Sequence, residues 1–225
     1  MFKAVLFDMD GVIVDTEPLH REAYFKMFEA INIEVSEQLY TSYTGQSTWN
    51  ICELLITEFQ LPLCPQTLVD LKRDFFIDLF TNDGTLQLLD GVLDLIKEYH
   101  RHGVTLVLAS SASMENINRI FERFELNPYF KGKISGADLK ASKPHPEIFL
   151  KAAELSKHDI ADCMVIEDST NGITAAKAAG IFCVGYDAVH SKDQDYNKAD
   201  LVISNFKDIS VEKLTHSITK IGRAV

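Results

Sequence analysis

Four cysteines stand among the 225 residues, at positions 52, 64, 163 and 183, and no two are spaced as C-x-x-C. Neither a zinc site nor a dithiol redox motif is therefore indicated. Cys163 and Cys183 fall inside apolar runs, where a buried reduced thiol is the expected state. A chain with no disulfide framework is expected in the cytoplasm. Long apolar runs are also missing: nothing approaches the ~20 residues of a membrane span. Residues 2–7 are too short for the h-region of a signal peptide and run straight into Asp8. Basic residues are in deficit, with 22 Lys and Arg against 33 Asp and Glu and a formal net charge of −11. Non-specific nucleic-acid or anionic-membrane binding needs a basic footprint, so neither partner is expected. A small anion is not barred, because a cation or a few backbone amides can set the local field.

What the chain does have is 46% hydrophobic residues, enough for a sizeable core in one or two domains. Short apolar runs recur at 4–7, 104–109, 163–166, 181–184 and 201–203, each ending in polar or small residues. Runs this short, apolar throughout and rich in β-branched residues read as strands buried on both faces. Between them lie segments of helical period, such as Val92-Leu95-Ile96-Tyr99, Ile117-Ile120-Phe121-Phe124 and Ile173-Ala176-Lys177-Ala179. Strand and helix in alternation predict an α/β fold, a Rossmann-like parallel sheet with helices on both sides. Residues 16–85 break the alternation. They hold helical patterns (Ala23-Met27-Phe28-Ile31, Ile51-Leu54-Leu55-Phe59, Leu68-Leu71-Phe75-Leu79) and no convincing strand. The expected organisation is an α/β core from 1–15 plus 86–225, with 16–85 as a small all-helical insert after the first strand. The insert is acidic: Arg21, Lys26, Lys72 and Arg73 face eleven Asp and Glu between Glu17 and Asp83.

In open parallel sheets ligands bind beyond the carboxyl ends of the strands. Asp8 and Asp10, then Gly11, follow the first run; Ser110 and Ser111 follow the second; Glu167 and Asp168 follow the run at 163–166. Four carboxylates from two strand ends repel one another unless a cation neutralises them. Hard oxygen donors of this kind suit Mg2+. Lys143, between Ser142 and Pro144, can be aimed as a point charge at an anion. An Asp nucleophile, a magnesium ion, a Lys and hydroxyl donors together fit phosphoryl transfer through an aspartyl-phosphate.

As a set, Asp8-Met9-Asp10-Gly11-Val12, Leu108-Ala109-Ser110, Ser142-Lys143-Pro144 and Glu167-Asp168-Ser169-x-x-Gly172 resemble the four motifs of the haloacid dehalogenase superfamily. With a helical cap after the first motif, the chain is most similar to the β-phosphoglucomutase-like subgroup. The resemblance implies Asp8 as nucleophile and metal ligand, and Asp10 as acid/base and carbonyl metal ligand. It implies Ser110, Ser111 and Lys143 as phosphate-binding groups, and Asp168 and Glu167 as further metal ligands. Asp10 favours phosphoryl transfer over metal-free dehalogenation, because an acid must protonate the leaving oxygen. In the cap, His20, Gln46, Thr48 and Lys72 are candidate substrate contacts. Thr44 and Thr48 stand where sugar phosphomutases tend to carry Lys and Arg. A magnesium-dependent phosphatase of a small phosphorylated metabolite is therefore expected, acting as a monomer. The substrate would be a sugar or polyol phosphate, or pyrophosphate. A β-phosphoglucomutase-type mutase is the alternative, and a non-catalytic binding protein on the same fold the remote one.

Plainer roles compete at several of these positions. Asp8 and Asp10 beside Gly11 would each pass as turn residues if they stood alone. Ser110 can cap the helix after Ser113, and His145, between two prolines, is read as structural. Lys72 fits a solvated charged helix face, and Trp49, the lone tryptophan, reads as core of the helical insert.

Overall fold

The computed structural model describes residues 2–43, 47–187 and 194–214. Gln46, with Thr44 and Gly45, lies outside the described residues. The chain divides into two compact units, Met1–Asp15 with Gln87–Val225, and Thr16–Leu86.

The first unit is built on six parallel strands: β1 (Ala4–Phe7), β2 (Thr105–Ser110), β3 (Phe130–Ser135), β4 (Cys163–Glu167), β5 (Phe182–Tyr186) and β6 (Leu201–Ile203). Their order is β3-β2-β1-β4-β5-β6, and every neighbouring pair is parallel. This is the Rossmann-like sheet expected from the alternation. The chain adds strands on one side of β1, then crosses over to place β4 on the other side. That reversal opens a crevice at the carboxyl ends of β1 and β4. All four residues of β1 are buried, as an apolar strand with neighbours on both edges requires. Leu6, Val107, Ile148, Phe149, Val165 and Ile173 share one core cluster. Cys163 and Cys183 belong to it as buried free thiols, as expected.

One strand escaped the sequence reading. β3 reads FKGKIS and has no apolar run, because it forms a sheet edge. Its lysines turn to polar partners: Lys131 donates to the Ser156 carbonyl at 2.8 Å, and Lys133 to Asn118 and Asn127 at 2.7 and 3.0 Å. Phe130 supplies the apolar contact, edge-on to Phe7 and Phe121.

The second unit holds α1 (Glu17–Ala30), α2 (Glu37–Tyr43), α3 (Thr48–Phe59) and α4 (Pro65–Asn82), with no strand among its described residues. Tyr24, Met27, Phe28, Tyr40, Leu55 and Leu68 share its core. Ser47 caps α3 by accepting from the Asn50 amide at 3.2 Å. Two expectations are corrected here. The buried stripe of α4 is Leu68, Val69, Lys72, Phe76 and Phe80, displaced from the expected Leu68-Leu71-Phe75-Leu79. Lys72 is therefore on the buried face, not the solvated one. Trp49 is 44% exposed and not part of the core, because it sits in the first turn of α3 while Ile51, Cys52 and Leu55 face inward. No helix among the described residues is long and apolar enough to cross a membrane.

Candidate active site

Sheet register decides which side chains meet. Phe7 is level with Leu108 on one side and Ile166 on the other, so Asp8, Ala109 and Glu167 emerge together at the next step. The Asp8 amide still donates to the Ile166 carbonyl at 3.0 Å, which fixes the backbone beyond the strand end. The chain then winds into a tight loop. The Met9 carbonyl accepts from the amides of Val12, Ile13 and Val14, and the Gly11 amide donates to Val14 at 2.8 Å. Gly11 has a φ of +79°, and a Cβ there would lie 2.0 Å from Oδ2 of Asp168. Only a glycine allows both the turn and the approach of that carboxylate.

Lys143 ties the strand ends together. Its ammonium donates to Asp8 Oδ1 at 2.5 Å, to Glu167 Oε1 at 2.6 Å and to the Ala109 carbonyl at 3.2 Å. All the donors of an ammonium are thereby used. The side chains of Lys143, Asp8 and Glu167 are 7%, 8% and 1% exposed, so the group is dry. Glu167 is oriented further by Ser169, whose amide and hydroxyl donate to Oε2 at 2.8 and 3.0 Å. Ser169 also caps the helix Thr170–Ala178 by accepting from the Gly172 amide at 3.0 Å. A Cβ on Gly172 would fall 1.7 Å from Oε1 of Glu167, so this glycine makes room for the carboxylate.

The charges do not balance. Burial, above all, pushes the Asp8 carboxyl well above the ordinary carboxylate range; Lys143 opposes the rise, and Glu167 and Asp168 add to it. Burial works to lower the Lys143 ammonium, but Asp8 and Glu167 outweigh it and hold it above its usual value. A simple ion pair would lower its acid, and here the acid rises. The reason is first the dryness of the site and then the excess of carboxylates over one ammonium, and a divalent cation relieves that excess.

Ser110 is 1% exposed, and its hydroxyl oxygen accepts from the Ala112 amide at 3.1 Å. Ser111 beside it is exposed, and a Cβ on Gly136 would come within 3.0 Å of its Cα. The cap of the helix Met114–Arg123 is Ser113, not Ser110. His145 accepts from the Glu147 amide at 3.3 Å, the structural role expected of it.

The first unit thus brings Asp8, Lys143, Glu167 and Asp168 into one electrostatic group, with Asp10 half-buried in the adjoining loop. Within the helical unit, His20, Thr48 and Lys72 form a second group. Lys72 is 4% exposed; it donates to Nδ1 of His20 at 2.6 Å and lies over the rings of Tyr24 and Phe76 at 4.9 and 5.2 Å. His20 stacks on Phe76 at 4.2 Å, and Thr48 hydrogen-bonds the Tyr24 hydroxyl. Tyr24 was missed in the sequence, where its spacing marks an ordinary core aromatic.

Among the described residues no three of His, Cys, Asp and Glu form a ready-made metal cage. The donor set nevertheless suits magnesium, which takes one or two carboxylates and keeps water for the rest. Gly11 and Gly172 support this fit, since both leave space filled by a carboxylate and by nothing bulkier.

The fold and the site define an α/β protein with a carboxylate cluster at its strand ends, bridged by a buried lysine. The family model of haloacid dehalogenase-like hydrolases matches residues 2–180, and the chain belongs to that family. It falls in the β-phosphoglucomutase-like group and is a phosphohydrolase or phosphomutase of the haloacid dehalogenase type. It is 31% identical to β-phosphoglucomutase of Bacillus subtilis over 94% of this chain and 93% of that one. It is also 31% identical to a phosphorylated carbohydrates phosphatase of Thermotoga maritima, over 84% of this chain and 86% of the other. The crystal structure of CbbY from Rhodobacter sphaeroides in complex with phosphate superposes with a TM-score of 0.83 at 26% identity, covering 93% and 96% of the two chains.

Proposed function

We propose that this enzyme is a magnesium-dependent phosphatase that removes phosphate from a small phosphorylated sugar or polyol, or from pyrophosphate. The observation that carries the reading is the dry Lys143 bridge between Asp8 and Glu167, at 2.5 and 2.6 Å. A lysine so placed holds the nucleophile still and presents a fixed positive charge to a phosphoryl group. Asp8 attacks phosphorus, the P–O bond to the leaving group breaks, and Asp10 gives that oxygen its proton. Asp10 then takes a proton from water, which attacks the aspartyl-phosphate and restores Asp8. Ser110 and Ser111 hold the transferring phosphate, and Lys143 faces it as a fixed positive charge. Asp8, the Asp10 carbonyl, Asp168 and Glu167 would hold magnesium, which supplies charge neutralisation when bound. The helical unit, 16–85 in this reading, acts as the cap that selects substrate.

Hydrolysis is preferred over isomerisation because a mutase must grip a second phosphate while the first is transferred. Of the expected cationic anchors, two are Thr44 and Thr48, and the third, Lys72, is already engaged by His20 and Tyr24. A charged fork binds phosphate far better than a hydroxyl. The kinship with a β-phosphoglucomutase keeps isomerisation as the second reading. The test is a turnover screen of phosphorylated metabolites with magnesium, including pyrophosphate and β-glucose 1-phosphate, the latter with and without a bisphosphate activator. Phosphate release should dominate, and faster conversion of β-glucose 1-phosphate to glucose 6-phosphate would reverse the choice. Asp8→Asn should abolish turnover, while Asp10→Asn should let the aspartyl-phosphate accumulate from substrates with good leaving groups.

A further inference from the structure

Tyr196 belongs to none of the motifs. It lies beyond β5, in a segment fastened to the first turn of the helix Thr170–Ala178. The Thr170 amide donates to the Gln194 side chain at 2.8 Å, and the Asp195 amide donates to the Thr170 hydroxyl at 2.8 Å. Thr170 stands two residues after Asp168, so this double clasp attaches the segment directly behind the acidic strand end. The Tyr196 ring packs on Gly185, where a Cβ would come within 3.0 Å of its Cδ1. Gly185 is in turn the register partner of Glu167. Three elements therefore converge to put one phenol behind Glu167 and Asp168.

The hydroxyl of that phenol is buried and has no hydrogen-bond partner among the described residues. Native structures rarely keep a buried hydroxyl unsatisfied; such a group points to a water, an ion or a function. The same phenol is pushed up to about 12, first by burial and then by the negative charges of Asp168, Asp187 and Glu167. It remains a protonated donor at any working pH and sits in the field of these three carboxylates.

We propose that Tyr196 is a positioning residue of the cation site: its hydroxyl donates to a water of the magnesium hydration shell on the Asp168 side. The proposal rests on the magnesium reading above. Magnesium keeps much of its water, so groups that orient that water help set its affinity. The hydroxyl does not touch substrate and takes no part in proton transfer.

Calorimetric titration of Mg2+ alone into the whole protein tests this. Tyr196→Phe keeps the ring on Gly185 and removes the oxygen. It should bind Mg2+ roughly 10-fold more weakly, within the range for outer-shell partners. Its metal-free melting temperature should be unchanged or higher, because an unsatisfied polar group is gone. Its kcat should return toward the parent value as Mg2+ is raised, which a packing defect would not allow. Thr170→Val removes the hydroxyl that accepts from Asp195 and leaves every carboxylate in place; it should weaken Mg2+ in the same direction. Equal Mg2+ affinity in the parent and Tyr196→Phe overturns the role of Tyr196 while leaving the magnesium reading intact. No Mg2+ binding by the parent protein overturns both.

Discussion

The Lys72 ammonium donates to Nδ1 of His20 at 2.6 Å inside the helical unit, an arrangement in which the imidazole is an acceptor and carries its proton on Nε2. Burial, followed by the charge on Lys72, holds His20 well below its ordinary value of 6.5. The folded protein therefore binds fewer protons here than the unfolded chain. Stability from this site is complete above pH 6.5 and is lost as pH falls toward the folded value. In denaturant titrations between pH 5 and 8 this site contributes stability that rises with pH, against the opposite contribution of Asp8, whose raised carboxyl favours the folded state at low pH. His20→Gln, whose amide oxygen can still accept from Lys72, should flatten that rise. An unchanged slope in the variant would remove His20 as its source.

Lys143 should be more sensitive still. Lys143→Ala leaves Asp8 and Glu167 buried without their shared cation, a type of loss that destabilises by about 3–5 kcal/mol. Turnover should vanish, and added Mg2+ should recover part of the melting temperature but not the activity. Lys143→Arg should not rescue, because a planar fork cannot reproduce the ammonium's three-way contact with Asp8, Glu167 and the Ala109 carbonyl. Melting curves with and without Mg2+, beside a phosphate-release assay, check each part.

Gly172→Ala tests whether the acidic strand end needs its empty space. Alanine suits a helix better than glycine by roughly 1 kcal/mol, so propensity alone predicts a gain. The new Cβ would stand 1.7 Å from Glu167 Oε1, and the carboxylate must move off Lys143 to admit it. We expect a folded protein with kcat reduced at least tenfold and weaker Mg2+ binding. Parent-like kinetics would mean that Glu167 does not need this position.

The legible parts of the molecule are those where one constraint governs a whole segment. β1, β2 and β4 are buried on both faces, so their apolar runs announce them, and chemistry has nowhere to go but their ends. Asp8, Ser110, Glu167 and Asp168 are singled out on that ground, whereas Lys143 follows no apolar run and is singled out by its place in Ser142-Lys143-Pro144. β3 was missed because an edge strand with Lys131 and Lys133 carries no such run. Lys72 misled for the opposite reason: burial of a lysine depends on an acceptor and two aromatic faces from elsewhere in the unit, which its own helix cannot announce. Tyr196 was invisible because its setting is made by Gly185 and Thr170, neither of which marks a tyrosine as special.

That burial also sharpens the choice between hydrolase and mutase. Lys72 is 4% exposed and its ammonium is spent on His20 and the face of Tyr24, contacts it would have to give up for a distal phosphate. Lys72→Met keeps the stem against Tyr24 and Phe76 and removes the charge, so it separates packing from anion binding better than Lys72→Ala. For a phosphatase of small substrates, kcat/KM should fall no more than a few-fold, with the change in KM. A mutase leaning on this lysine should lose nearly all isomerisation, because the binding energy that closes the site over its bisphosphate would be gone. Parallel assays of phosphate release and of glucose 6-phosphate formation on parent and variant decide the matter. Collapse of isomerisation in Lys72→Met, from a parent that isomerises faster than it hydrolyses, would make Lys72 a phosphate anchor and the enzyme a mutase.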